Sequence, residues 1–252
     1  MKKLTNPALA NNFQFQLADP ILESDAIFFE KENQIRLKLD YEDSRIHYTL
    51  DGTEPGEHSP LYREPIRLTQ TATLKARAFH SHCLPSTIVE QPFFKVGQPK
   101  AIVEIGLENA PSPQYPGGGA TALMDLKKGS LNFREPAWLG FSGDDIELVV
   151  EFESVQSFEK ITASTLSDPA SWIFLPEAME VWIAENGKDY HSIVQRKFDP
   201  PHEDIATAMQ FLSLDIEKQK ARYVKVILKN IPEIPEWRPG KGTPAWLFID
   251  EV

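Results

Sequence analysis

The chain has 252 residues, 41% of them hydrophobic, which is enough for one large or two medium domains with real cores. Acidic residues outnumber basic ones by 37 to 26, and the net charge of −11 repels phosphate backbones and anionic lipid heads, so nucleic acid is excluded as an expected partner. Cys83 is the only cysteine, which rules out an intrachain disulfide, and no apolar run reaches membrane-spanning length. Twenty prolines and 13 glycines, scattered between β-branched and aromatic runs, predict many short strands and an all-β class.

Residues 1–17 show no period and read as a tail or the end of a missing domain. The opening MKKLTNPALANNFQFQ is basic, but Asn6, Pro7, Asn11 and Asn12 interrupt any apolar stretch of signal-peptide length. Strand signals begin after Pro20, at Ala26 to Phe29 and at Gln34 to Leu39, where Ile35, Leu37 and Leu39 alternate with Arg36 and Lys38. Ile46 to Leu50 is a strand stopped by the Asp51-Gly52 turn. Ala72 to Phe79 alternates again, and Thr87 to Phe94 closes a set of six or seven strands that predicts a small β-sandwich over residues 18–96. VGQPK reads as a linker at 97–100, and the apolar run from Ala101 to Ile105 opens a second set spanning 101–252. Within it, the stretch from Ser171 to Tyr190 predicts a hairpin about Asn186-Gly187, entered through Met179, Val181 and Ile183 and left through Tyr190 and Ile193.

The strings IHYTLDGTEPGEHSPLYREPIRL and TATLKARAF resemble the C-terminal β-sandwich of chitobiase and related β-N-acetylhexosaminidases. That resemblance implies an immunoglobulin-like accessory domain without catalytic residues. The ordered series GGxxxLxD, GSxNF, WxGF, SWIFLP, ARYVKV, WxPGxG and AWLFIDE is similar to the discoidin (coagulation factor 5/8 C-like) jelly roll that follows such a domain in bacterial glycosidases. Two departures lie in loops. Leu126 follows Asp125 where the family usually has glycine, with the glycine displaced to 129, and Arg238 stands where histidine is frequent in the WxPG turn.

Adjacent acids invite a catalytic reading, yet Asp250-Glu251 ends a strand, where neighbouring side chains point to opposite faces. No H-x-G-G-D-E string occurs, so the chain is expected to lack the catalytic domain. Asp144-Asp145 reads as a solvated turn, Gly117 to Gly119 and Gly240 to Thr243 lack the spacing of phosphate loops, and His80, His82 and Cys83 lack a second ligand pair for zinc. The discoidin resemblance implies a structural Ca²⁺ held by Asp125, by carbonyls about Lys127, Lys128 and Ser130, and by the late Glu251, against ordinary surface carboxylates as the alternative. Trp182 and Trp246 sit within strands and read as packing residues. Trp138, Trp172 and Trp237 stand beside turns with Asn132, Arg134 and Arg238, a combination of flat apolar faces and polar groups suited to a pyranose ring; end-plugging of the sandwich is the alternative.

The expectation is a non-catalytic pair of modules, carbohydrate-associated and set beside the catalytic domain of a parent β-N-acetylhexosaminidase-like glycosidase, with a terminal hexose or N-acetylhexosamine as candidate ligand. The rival is a structural or protein-interaction unit without a ligand. A monomer without membrane insertion is expected, the parent being periplasmic, surface-bound or secreted.

Overall fold

The computed structural model describes residues 15–24, 26–96, 102–203 and 205–252. The chain divides into two compact units, Met1–Gly97 and Gln98–Val252. The linker expected at 97–100 lies outside the described residues, as does most of the expected tail. The end of that tail is a correction: Leu17 is 5% exposed within the first core, and its amide donates to the Leu84 carbonyl at 3.0 Å.

The first unit holds β1 (Ile21–Ser24), β2 (Phe28–Phe29), β3 (Asn33–Lys38), β4 (Arg45–Thr49), β5 (Ile66–Leu68), β6 (Ala72–Phe79) and β7 (Val89–Lys95). One sheet runs β1-β3-β5, the other β2-β7-β6-β4, antiparallel except between β2 and β7. The period-two pattern decides the faces: Ile35 and Leu37 are buried while Arg36 and Lys38 are exposed, and Leu74, Ala76 and Ala78 are fully buried on β6. These side chains meet Ile46, Ile66, Leu68 and Phe93 in one core between the sheets. The turn after β4 forms because the Asp51 carboxylate accepts the Thr53 amide at 3.0 Å while Gly52 takes φ 80°. The strand expected from Ala26 shrinks to Phe28–Phe29, since only those two residues reach β7.

The second unit holds β8 (Ile102–Leu107), a 3₁₀ turn at Ala120–Met124, β9 (Leu139–Ser142), β10 (Ile146–Ser167), a 3₁₀ turn at Pro169–Ser171, β11 (Ala178–Ala184), β12 (His191–Lys197), β13 (Ala208–Lys229) and β14 (Trp246–Glu251). The sheet order is β12-β11-β13-β10-β14-β9, with β8 also on β10. β10 and β13, 22 residues each, pair along their whole length, with register shifts between Glu151 and Gln156 and between Phe158 and Lys160. Such bulges bend a strand pair. One half of β10 therefore carries β8 and the other half carries β14, and the open sheet folds over as a sandwich around one core. Ile146, Leu148, Val181 and Val226 face Leu212, Leu214, Leu247 and Ile249 across the core.

The hairpin of β11 and β12 is present, but its connection runs from Glu185 to Tyr190 rather than through two residues. The Asn186 side chain accepts the amides of Lys188 and Asp189, both at 3.0 Å, which stabilises the longer loop. Trp182 is a second correction: alternation sets it opposite Val181 and Ile183, so it is half-buried on the outer face, with its indole N–H donating to Glu180 at 2.9 Å. Asp145 is not a solvated turn residue either, because it accepts Lys229 Nζ at 2.8 Å and the Asn230 amide at 2.9 Å. Among the described residues no helix is long and apolar enough to cross a membrane.

Candidate carbohydrate and cation sites

Four segments of the second unit converge on a cavity of about 390 Å³ lined by Gln114, Tyr115, Phe133, Arg134, the segment from Ala170 to Ile173, Trp246 and Phe248. Its floor is a herringbone of aromatic rings, which favours edge-to-face contact. Tyr115 meets Phe248 at 5.0 Å, Trp246 at 5.2 Å and Phe133 at 5.8 Å between centroids. At the rim stands Trp172, 43% exposed.

Trp172 is held by its surroundings rather than by a strand. It closes the 3₁₀ turn Pro169–Ser171 with φ 64°, a left-handed conformation that costs a tryptophan energy. Three contacts fix it there: its indole N–H donates to the Pro239 carbonyl at 2.8 Å, its own carbonyl accepts the Trp246 amide at 3.0 Å, and the Arg238 guanidinium donates to the Ala170 carbonyl at 3.0 Å. A Cβ at Gly240 would lie 3.3 Å from the indole nitrogen, so glycine there lets the loop rest against one edge of the ring. The rest of the indole stays open to solvent.

The expected sugar residues therefore separate. Trp172 and Arg134 share the cavity. Trp138 is a correction: it is 1% exposed, packs with Phe133, Leu166, Ile173 and Phe248, and donates its indole N–H to the Ser130 carbonyl at 2.9 Å. A ring so enclosed has no face to offer a sugar. Trp237 is half-buried in a separate cluster with Phe174, Ile231, Ile234 and Ala245. Arg238 braces the Trp172 turn, and Asn132 shapes the neighbouring turn by accepting the Arg134 amide at 3.3 Å; neither lines the cavity. Gln114, Tyr115, Phe133 and the cavity-lining role of Trp246 were missed from the sequence. The only local signal was their aromatic and polar character in loops, since their meeting depends on long-range pairing.

Of the expected cation ligands, Asp125 and Glu251 come together. Glu251 is 2% exposed, and burial, with the charges of Asp125 and Asp250 beside it, pushes its carboxyl up to about 9. Its Oε1 and the Oδ1 of Asp250 are buried without a hydrogen-bond partner among the described residues. The surface-carboxylate alternative is thus excluded for Glu251. The ligands expected at Lys128 and Ser130 are main-chain carbonyls, of which that of Ser130 accepts the Trp138 indole N–H at 2.9 Å; the side chains lie elsewhere, Lys128 Nζ 3.0 Å from Met209 Sδ and 4.5 Å from the Phe211 ring centroid, and the Ser130 hydroxyl donating to Glu135 at 2.8 Å. Burial pushes the Lys128 amine down to about 8. Leu126 takes φ 62°, the left-handed conformation that a glycine after Asp125 would supply. Among the described residues no three His, Cys, Asp or Glu side chains converge as a metal cage. Two adjacent carboxylates with an orphaned oxygen nevertheless fit a hard cation completed by main-chain carbonyls. Asp250 lies on the other side of β14, accepting the Gly129 amide at 2.7 Å, with its carboxyl raised to about 6 by burial. The two acids thus face apart, as strand geometry requires.

The chitobiase/beta-hexosaminidase C-terminal domain family matches residues 26–90, which is the greater part of the first unit. No curated protein matches the chain. Among solved structures, a pectin binding carbohydrate binding module is 16% identical with a TM-score of 0.37, over 60% of this chain and 88% of that one. CpGH89CBM32-5 from Clostridium perfringens, in complex with GalNAc-β-1,3-galactose, is 14% identical with a TM-score of 0.38, over 59% of this chain and 91% of that one. The CBM32 of AlyQ, in complex with 4,5-unsaturated mannuronic acid, is 9% identical with a TM-score of 0.35, over 60% of this chain and 93% of that one. Likenesses of this strength carry no residue roles or ligands to this chain.

Proposed function

We propose that the chain is a non-catalytic, carbohydrate-associated pair of β-sandwich modules that serves a glycoside hydrolase, with the sugar site in the second unit. The observation that carries this reading is Trp172: a half-exposed indole in a strained conformation, braced by Pro239, Gly240 and Arg238, at the mouth of an aromatic cavity with Arg134 and Gln114 on its rim. Strain is retained where the surroundings over-determine it, and such places cluster at ligand sites. A pyranose ring laid on the indole would gain apolar contact on one face, while Arg134, Gln114 and Ser171 would bond its oxygens. The match at residues 26–90 supports a hexosaminidase-like parent; on this reading that parent is a periplasmic, surface-bound or secreted bacterial enzyme whose catalytic domain is the partner of these modules.

A Ca²⁺ ion held by Asp125 and Glu251 belongs to the same reading. It would neutralise two carboxylates whose mutual repulsion is otherwise relieved by a proton on Glu251 and by the exposed Lys127 ammonium, 3.1 Å from Asp125. A glycan array probed with the purified chain, in calcium and then in chelator, tests the whole proposal. Binding that free sugar competes away and that Trp172→Ala abolishes supports a lectin-like module; a blank in both conditions favours a structural appendage.

A further inference from the structure

We infer that the sugar taken by the Trp172 cavity is acidic, carrying a carboxylate or sulfate that pairs with Arg134; this rests on the reading of that cavity as a glycan site. The chain carries 37 acidic residues against 26 basic ones, yet none of the acids lines the cavity, and the one charged group there is the Arg134 guanidinium. Arg134 is exposed and forms no ion pair among the described residues. Its guanidinium carbon lies over the Phe133 ring, 4.4 Å from the centroid. The neighbouring Glu135, the obvious internal partner, is taken up by the Ser130 hydroxyl at 2.8 Å and amide at 3.2 Å.

Two consequences follow from donor and acceptor chemistry. A neutral sugar presents hydroxyl donors that are best met by ionised acceptors, and this rim has no carboxylate to meet them. An anionic sugar brings the acceptor with it. A planar guanidinium held over an aromatic ring still has the fork geometry that binds a carboxylate through two parallel N–H donors. In a chain of net charge −11, long-range attraction does not draw an anion in. The preference therefore depends on the local pair, and recognition is short-ranged.

Isothermal titration of the whole chain with trigalacturonate, its methyl ester, a neutral galactose oligomer and a sulfated galactose tests this. The acid or the sulfate is expected to bind about tenfold more tightly than the ester or the neutral sugar, as a charge-assisted bidentate pair implies. Arg134→Gln should weaken the charged probe about tenfold, to the level of the ester, weaken the ester by much less because only a neutral hydrogen bond is lost there, and leave the melting temperature unchanged because only the Phe133 contact is lost. Tighter binding of the sulfate than of the carboxylate would identify a sulfate ester as the source of the charge. Equal binding of charged and neutral probes, abolished together by Trp172→Ala, would sink the acidic preference while leaving the sugar site intact. No binding by any probe, at concentrations where an array is also blank, would overturn both.

Discussion

Trp138 and Trp172 carry the same side chain to opposite ends. Trp138 fills a fully enclosed site against Gly129, where a Cβ would stand 2.4 Å from its indole nitrogen, whereas Trp172 spends its N–H on a loop carbonyl and keeps its ring open. Trp138→Ala should cost about 3–5 kcal/mol in urea unfolding, as large-to-small core substitutions do. Gly129→Ala should cost about 1–3 kcal/mol by overpacking the same contact. Trp172→Ala should leave the unfolding midpoint nearly unchanged while removing glycan binding. The buried acids predict a pH dependence. Glu251 titrates at about 9 against an ordinary 4.5, and Asp250 at about 6 against 3.8, both raised by burial. The folded state binds these protons more tightly than the unfolded one, so in chelator stability falls as pH rises through 3.8–6 for Asp250 and 4.5–9 for Glu251. Lys128, lowered to about 8, acts in the opposite sense between there and 10.5. Urea midpoints across this window should show the decline, Glu251→Gln should flatten most of it, and calcium should flatten it in the unsubstituted protein by displacing the proton.

At the scale of elements, the sugar cavity depends on a turn that is held from outside. The segment from Pro235 to Gly242 has no strand of its own, yet the Arg238 side chain and the Pro239 carbonyl both reach the turn at Pro169–Ser171 and the tryptophan that closes it. Arg238→Ala should therefore weaken glycan binding several-fold without contacting the ligand, read as a faster dissociation rate with a small change in midpoint. The β10–β13 pair shows what local pattern conveys and what it does not. Ile146, Leu148 and Val150 alternate with Glu147, Val149 and Glu151, so the strand and its inward face are legible in the residues themselves. The bulges beyond Glu151 are not, because they relieve a closure that exists only once β8 and β14 have claimed separate halves of β10. The hairpin turn at Asn186 was foreseen as two residues because Asn-Gly favours positive φ. Gly187 does take φ 70° and lies close against the Tyr223 ring of β13, while the Asn186 side chain, by accepting the amides of Lys188 and Asp189, holds the longer loop.

Each of the two units of the whole molecule has a core of its own, one around Ile35 and Phe93, the other around Leu148 and Val226. All residues named for sugar and calcium belong to the second. A chain beginning at Gln98 should therefore fold and bind glycan with the affinity of the full chain, measured by titration; loss of binding in a folded second unit would show that the first contributes to the site.

The all-β class, the first sandwich and most strand faces follow from period-two alternation and turn chemistry, which act over a few neighbouring residues and so are written in the sequence; the jelly-roll plan of the second unit was legible only through its resemblance to the discoidin family. The separation of Trp138 from Trp172, the burial of Glu251, and the union of Gln114, Tyr115, Arg134 and Trp246 around one cavity were decided only by tertiary structure. Each depends on which segments far apart in the chain close over a given side chain, and loops carry no period from which that can be read.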